Sequence, residues 1–207
     1  MAVKKKAARP KAKTKPKAAP KAKAKVAAKA AAPKRKPAAT SEEAMMAQWQ
    51  QVMTPSAGHA RLMPMVGSWK ATTTITMAPG APEEVSTGTS VHRLVLGGRF
   101  IEQTYKGTTM GMPFEGIGYT GYDNAQQRYV GTWMDTFGTG VMRALGVGRP
   151  TDEKIDFVAE TIEPSGNKRV FDTTIRIRHH GHHSYEMWTK GPNGKPYRMM
   201  LIEYERA

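Results

Sequence analysis

From Trp69 onward the side chains alternate. Between Trp69 and Met77 the odd positions are Trp, Ala, Thr, Ile and Met, and the even ones are Lys and Thr. A period of two sets one face of a strand against a core and leaves the other in water. Similar segments recur near 85–95, 99–107, 114–123, 127–137, 141–147, 154–162, 168–178, 183–190 and 197–206, which with the first makes ten strands. Turn clusters separate them: GG at 97–98, DNAQ at 123–126, EPSGN at 163–167 and GPNGK at 191–195. Connections this short leave no room for crossover helices, so neighbours pair antiparallel. An up-and-down meander of ten twisted strands closes most readily into a barrel, with a two-sheet sandwich as the alternative. The fold class expected is therefore all-β.

Ahead of the strands the pattern is helical. Thr40 and Glu43 have capping-box spacing, and Ala44, Met45, Trp49, Val52 and Met53 follow at near-helical intervals until Thr54-Pro55. A second short turn through His59, Arg61 and Leu62 is limited by Pro64, before Gly67-Ser68-Trp69. Glycines at 107, 111, 116, 118, 121, 131, 138 and 140 lie within strands and read as points of curvature. They do not form a phosphate-cradling loop that opens a helix.

Charge divides the chain. It has 207 residues, a formal net charge of +15 and no cysteine. Disulfides and thiolate chemistry are thereby excluded. The whole excess of positive charge lies in residues 1–40, which hold no acid; beyond them basic and acidic residues balance. The cations of this segment are Lys4, Lys5, Lys6, Arg9, Lys11, Lys13, Lys15, Lys17, Lys21, Lys23, Lys25, Lys29, Lys34, Arg35 and Lys36. Alanine and proline fill most of the rest, so no core can offset the ordering entropy, and disorder is expected. The composition resembles the lysine-, alanine- and proline-rich tails of linker histones and bacterial histone-like proteins. That likeness implies nonspecific nucleic-acid association, through counterion release, at about 10⁻⁴ to 10⁻⁶ M in physiological salt. Anionic lipid would attract the same lysines. With no apolar run of about 18 residues and no signal-like apolar region, a cytoplasmic, nucleoid-associated location is expected. The organisation expected is a tail (1–40), a helical segment (41–66) and a barrel (67–207).

Two resemblances sharpen this reading. Gly67-Ser68-Trp69, after a helical turn and before the first strand, resembles the G-x-W entry of lipocalins and related calycin barrels. The run from Leu96 to Gly140, with GGRF at 97–100, Tyr105 and Gly107, G-x-P-F at 111–114, GYDN at 121–124 and W-x-D at 133–135, resembles a bacterial family known as domain of unknown function 1579. The likeness spans about 57–207. It implies a lipocalin-like barrel and no particular activity. The lipocalin likeness further implies that an arginine at the end of the last strand, here Arg206, covers the entry tryptophan, Trp69.

Candidate chemistry is sparse. On the odd faces of 99–107 and 127–137 polar groups accompany aromatics. If these faces point inward, Arg99, Gln103, Tyr105, Trp133 and Asp135 form a small-molecule site, unless Arg99 simply pairs with Asp135 in a filled interior. His179-His180-Gly181-His182-His183 reads as an exposed turn with adventitious metal affinity only, because adjacent strand residues face opposite ways. His92 is read as the one mid-strand histidine; haem-binding calycin barrels use such a residue, but nothing else specifies a haem pocket. No metal and no cofactor is assigned. No nucleophile elbow, H-E-x-x-H or spaced carboxylate pair is present. The expected function is noncatalytic binding of a small, partly apolar ligand, with polyanion association through the tail. The alternatives are an enzyme using Asp135 as acid or base with Arg99 as an anion clamp, and a ligand-free, self-associating barrel.

Overall fold

The computed structural model describes residues 40–147, 149 and 151–207. Residues 1–39, and with them the expected tail, lie outside the described residues. Helix α1 (Ser41–Met53) starts at Thr40, whose hydroxyl accepts from the Glu43 amide while the Glu43 carboxylate accepts from the Thr40 amide, the expected capping box. Its apolar positions do not enter a core. Met45 and Trp49 are more than half exposed, Met53 is half exposed, and no residue of α1 is buried. What holds its C-terminal end is polar. The Asn124 side-chain amide donates to the carbonyls of Gln51, Val52 and Thr54, and the Arg99 guanidinium donates to that of Met53.

A one-turn helix, α2 (Ala57–Ala60), and a 3-10 turn (Met63–Met65) follow. Leu62 and Met65 drop into the lower core with Ile101, Tyr129, Ile155 and Phe157, plugging one end of the sheet. Pro64 sits at the start of the 3-10 turn rather than ending the helix before it.

Ten antiparallel strands then run in order: β1 (Gly67–Thr76), β2 (Glu83–Val95), β3 (Phe100–Thr109), β4 (Met112–Asp123), β5 (Arg128–Asp135), β6 (Met142–Val147), β7 (Lys154–Ile162), β8 (Lys168–His179), β9 (His182–Lys190) and β10 (Pro196–Arg206). Each pairs with its neighbours, and β1 pairs with β10 from Trp69↔Arg206 to Ile75↔Met200, closing a barrel. The expected class and strand count hold; the sandwich does not form, because the last strand returns to hydrogen-bond with the first. The lower, plugged end carries the starts of the odd-numbered strands, and the turns after β1, β3, β5, β7 and β9 surround the other end. Among the described residues no helix is long and apolar enough to cross a membrane.

The strand glycines have a different use from curvature alone. A Cβ on Gly116 would lie 2.1 Å from Trp133 Cζ2, and one on Gly118 would lie 2.7 Å from Trp133 Cε3. The indole lies flat along β4 because those two residues have no side chain. Gly67 is required for another reason. Its φ is +141°, and a Cβ there would overlap the Arg206 guanidinium.

Candidate functional site

The barrel interior opens into a cavity of about 970 Å³. Its upper boundary includes Met77, Met110, the Phe137–Gly140 turn and Glu163-Pro164, all at the unplugged end. Its walls are unusual in composition. Eight methionines (Met65, Met77, Met110, Met134, Met142, Met187, Met199 and Met200) and eight aromatics (Tyr105, Phe114, Trp133, Phe137, Phe157, Phe171, Tyr185 and Tyr204) line it, against four isoleucines and one alanine of aliphatic surface. Methionine is flexible and polarisable and makes favourable contacts with aromatic rings. Such walls adapt to a guest that rigid β-branched walls would exclude.

The polar groups are sorted by depth. Near the mouth, Asp135 accepts from the Trp133 indole N–H at 2.9 Å and from the Phe137 amide at 2.9 Å, so the carboxylate fixes the indole and the turn that follows. Arg169 donates to Glu163 at 2.9 Å and lies 5.1 Å from the centre of the Phe171 ring. Midway, the Thr73 and Tyr105 hydroxyls are 3.3 Å apart. Deeper, the Gln103 amide donates to the Tyr204 hydroxyl at 2.9 Å and to Ser90 Oγ at 3.3 Å; Ser90 lies 3.0 Å from His92 Nε2 and donates to the Thr104 carbonyl at 2.9 Å.

At the end wall two imidazoles meet. His92 of β2 and His183 of β9 are each 1 % exposed, with ring centres 5.2 Å apart. His183 stacks on Tyr204 at 4.4 Å with an interplanar angle of 7°, and its edge meets the Trp69 ring at 4.3 Å. Neither nitrogen of His183 has a hydrogen-bond partner, whereas the His92 ring meets Ser90 through Nε2 and is drawn toward the Met65 carbonyl without reaching good hydrogen-bond geometry. Burial holds both neutral. It lowers the His92 pKa to about 4, against a smaller opposing pull from the Met65 carbonyl, with the Arg206 charge adding to the depression. For His183 burial, followed by the nearby His92, His182 and Arg206, lowers it to about 2. Beyond Trp69, Arg206 lies 4.2 Å from the centre of the indole ring and donates to the carbonyls of Val66 at 2.7 Å and His180 at 3.0 Å. The stack expected from the lipocalin likeness is therefore present, and the Trp69 N–H donates to Met65 O at 2.8 Å.

Of the expected cavity residues, Gln103, Tyr105, Trp133 and Asp135 line the interior. Arg99 does not. It lies at the plugged end just before β3, where its guanidinium donates to the Leu96 and Met53 carbonyls, so it neither clamps an anion in the cavity nor pairs with Asp135. The reading of 179–183 as an exposed turn is also corrected. Only His180 and Gly181 make the turn; β9 begins at His182, whose side chain lies 3.0 Å from Glu203, and the alternation then turns His183 inward. His92 is accordingly not the only histidine placed within a strand. His183 opens the expected strand 183–190, but grouping it with the histidines of the turn hides its inward parity. The parity of His183, Tyr185 and Met187 carried the signal. Among the described residues no group of three or more His, Cys, Asp or Glu side chains could hold a metal ion.

The comparisons agree with this architecture. The family described as protein of unknown function (DUF1579) matches residues 54–206. No curated protein matches the chain. Among solved structures, Rv2717c from M. tuberculosis is similar at a TM-score of 0.56 with 16 % identity, over 74 % of this chain and 98 % of that one. The S-type phycobiliprotein lyase CPES from Guillardia theta is similar at a TM-score of 0.48 with 12 % identity, over the same shares.

Proposed function

The chain belongs to the DUF1579 family, to which no activity is attached, and we propose that its barrel is a noncatalytic receptor for one small, planar aromatic molecule. The observation that carries this is the cavity itself: about 970 Å³, open at one end, walled by methionine and aromatic rings. That volume lies in the range of ordinary small-molecule sites, and its few polar groups converge at defined depths. The acid–base role considered for Asp135 has no support in its surroundings, where both oxygens hold neighbouring groups in place. The test uses N-phenyl-1-naphthylamine, whose emission rises in apolar surroundings. Gly131 lines the cavity, and a Cβ there would meet Ala144 Cβ at an ordinary 3.5 Å, so Gly131→Phe fills the space without a backbone clash. The wild-type protein is expected to bind the probe and the variant at least tenfold more weakly with unchanged circular dichroism. Equal affinity would refute the reading.

A second activity is proposed for the amino-terminal segment. Fifteen cations and no acid in residues 1–40 support nonspecific association with nucleic acid through phosphate contacts. Deleting 1–40 is expected to abolish retention on double-stranded DNA, while the full chain's affinity falls steeply with salt. DNA retention by the truncated protein would refute this part.

A further inference from the structure

We propose that the mouth of the cavity is a subsite for a protonated amino group carried by the aromatic ligand, bound by the Asp135 carboxylate and faced by the rings of Phe114, Phe137 and Trp133. The inference rests on the receptor reading above and names the ligand's charged group and the end of the cavity at which it lies.

Two carboxylates, Asp135 and Glu163, and one guanidinium, Arg169, line the cavity. Arg169 is taken up by Glu163 at 2.9 Å, and among the described residues no cation pairs with Asp135. The two donors that Asp135 does hold, the Trp133 indole N–H and the Phe137 amide, are uncharged. They fix the direction of the carboxylate and leave its charge in place. They also leave about two of its four lone-pair sites open. Asp135 is part-exposed and borders the cavity, so a further donor can approach it from there.

Aromatic rings stand beside that charge. Trp133, Asp135 and Phe137 share one parity along β5 and the turn after it, and Asp135 pairs across the sheet with Gly116 of β4. Two residues before Gly116, the Phe114 ring meets that of Phe137 at 5.1 Å and that of Tyr105 at 5.7 Å, both T-shaped. A cation within roughly 6 Å of such a ring centre is attracted to its face. An anion is repelled by Asp135, and the guanidinium that could receive it is held by Glu163. An alcohol uses a hydrogen bond but no charge. A protonated amine uses the charge, the open lone pairs and the rings together.

The end wall does not suit it. Arg206 stands behind Trp69 there, and its guanidinium partners are the uncharged carbonyls of Pro64, Val66 and His180, so a positive field opposes a second cation. At the mouth an ammonium keeps part of its hydration, which lowers the cost of binding it. The aromatic body of the ligand therefore points into the methionine-lined interior with its ammonium outermost.

The test titrates three fluorescent probes of similar shape, 9-(aminomethyl)anthracene, 9-(hydroxymethyl)anthracene and anthracene-9-carboxylate, into the full-length protein at neutral pH. The protonated amine is expected to bind at least tenfold more tightly than the alcohol, and the carboxylate more weakly than either. The whole chain carries a formal charge of +15, so nonspecific attraction would favour the carboxylate and cannot produce this order. Asp135→Asn, which keeps the size of the side chain without its charge, is expected to bring amine and alcohol within threefold of each other; the alcohol's affinity in the same variant reads any change of cavity shape. Phe114→Leu combined with Phe137→Leu keeps the mouth apolar without its rings. It is expected to reduce the preference at least threefold and carries the comparison if the Asn variant does not fold. Binding of the alcohol with no preference for the amine would overturn the mouth assignment alone, as would a preference left unchanged by either set of substitutions. Binding of neither amine nor alcohol would overturn the receptor reading, and this assignment with it.

Discussion

The two end-wall imidazoles should make this barrel sensitive to mild acid. In the unfolded chain a histidine takes up a proton near pH 6.5, whereas in the fold burial lowers His92 to about 4 and His183 to about 2. Below pH 6.5 the unfolded state therefore binds more protons than the native state, and stability falls as pH falls. The loss begins near pH 6.5 and continues until the folded imidazoles themselves protonate, about pH 4 for His92. At about 1.4 kcal/mol per pH unit for each fully responding group, each histidine costs about 2 kcal/mol between pH 7 and pH 5, and the pair about 4 kcal/mol. For a domain of ordinary stability that is a large fraction of the total. Urea unfolding followed by far-ultraviolet circular dichroism, at pH 7 and pH 5, measures it directly. The double variant His92→Gln/His183→Phe cannot titrate there and should lose about 4 kcal/mol less than wild type over the same interval. If the two proteins lose stability in parallel, to within about 1 kcal/mol, the buried imidazoles are not the source and the reasoning fails.

Three further outcomes follow from the packing. Arg206→Lys should cost about 2–3 kcal/mol in chemical denaturation, because an ammonium cannot serve the Val66 and His180 carbonyls and the Trp69 face together; a change of only a few tenths would contradict the closing role given to this residue. Gly116→Ala should destabilise by about 1–3 kcal/mol and shift the Trp133 emission, since the new Cβ meets the indole at 2.1 Å. The same change in a Trp133→Ala background should be nearly neutral, and equal costs in both backgrounds would place the clash elsewhere. Asn124→Ala removes the donor to the carbonyls of Gln51, Val52 and Thr54. Limited proteolysis should then cut near residues 53–56 much faster while the barrel's melting temperature stays nearly unchanged, and slow cutting would show that α1 is held by something other than this cap.

Much of the fold was legible because its causes are local. Period-two alternation and turn residues place ten strands within a few residues of those observed, and the capping box at Thr40 and Glu43 marks the start of α1 to the residue. Trp133, Asp135, Gln103 and Tyr105 were found as cavity residues for the same reason, since parity along a strand decides which side chains share a face. The errors lie where a residue's role depends on a distant segment. Arg99 shares the parity of Gln103 but sits before the first residue of β3, where the carbonyl of Met53 captures it. The spacing of apolar residues in α1 marks a helix but not its attachment, which runs through Asn124 and Arg99 rather than through an apolar stripe.

By itself the sequence determined the strand count, the antiparallel order, the separation of charge between residues 1–40 and the rest, and which residues of each strand share a face. All of these depend on neighbours a few positions apart. Only the tertiary structure decided that β10 returns to β1, and that this closure brings His92 and His183, far apart in the chain, within 5.2 Å around Trp69. Their burial, their neutrality and the unpartnered nitrogens of His183 exist only once the sheet is closed. Water leaves the end wall at that point, and each imidazole's surroundings are set by strands that its own sequence neighbours do not specify.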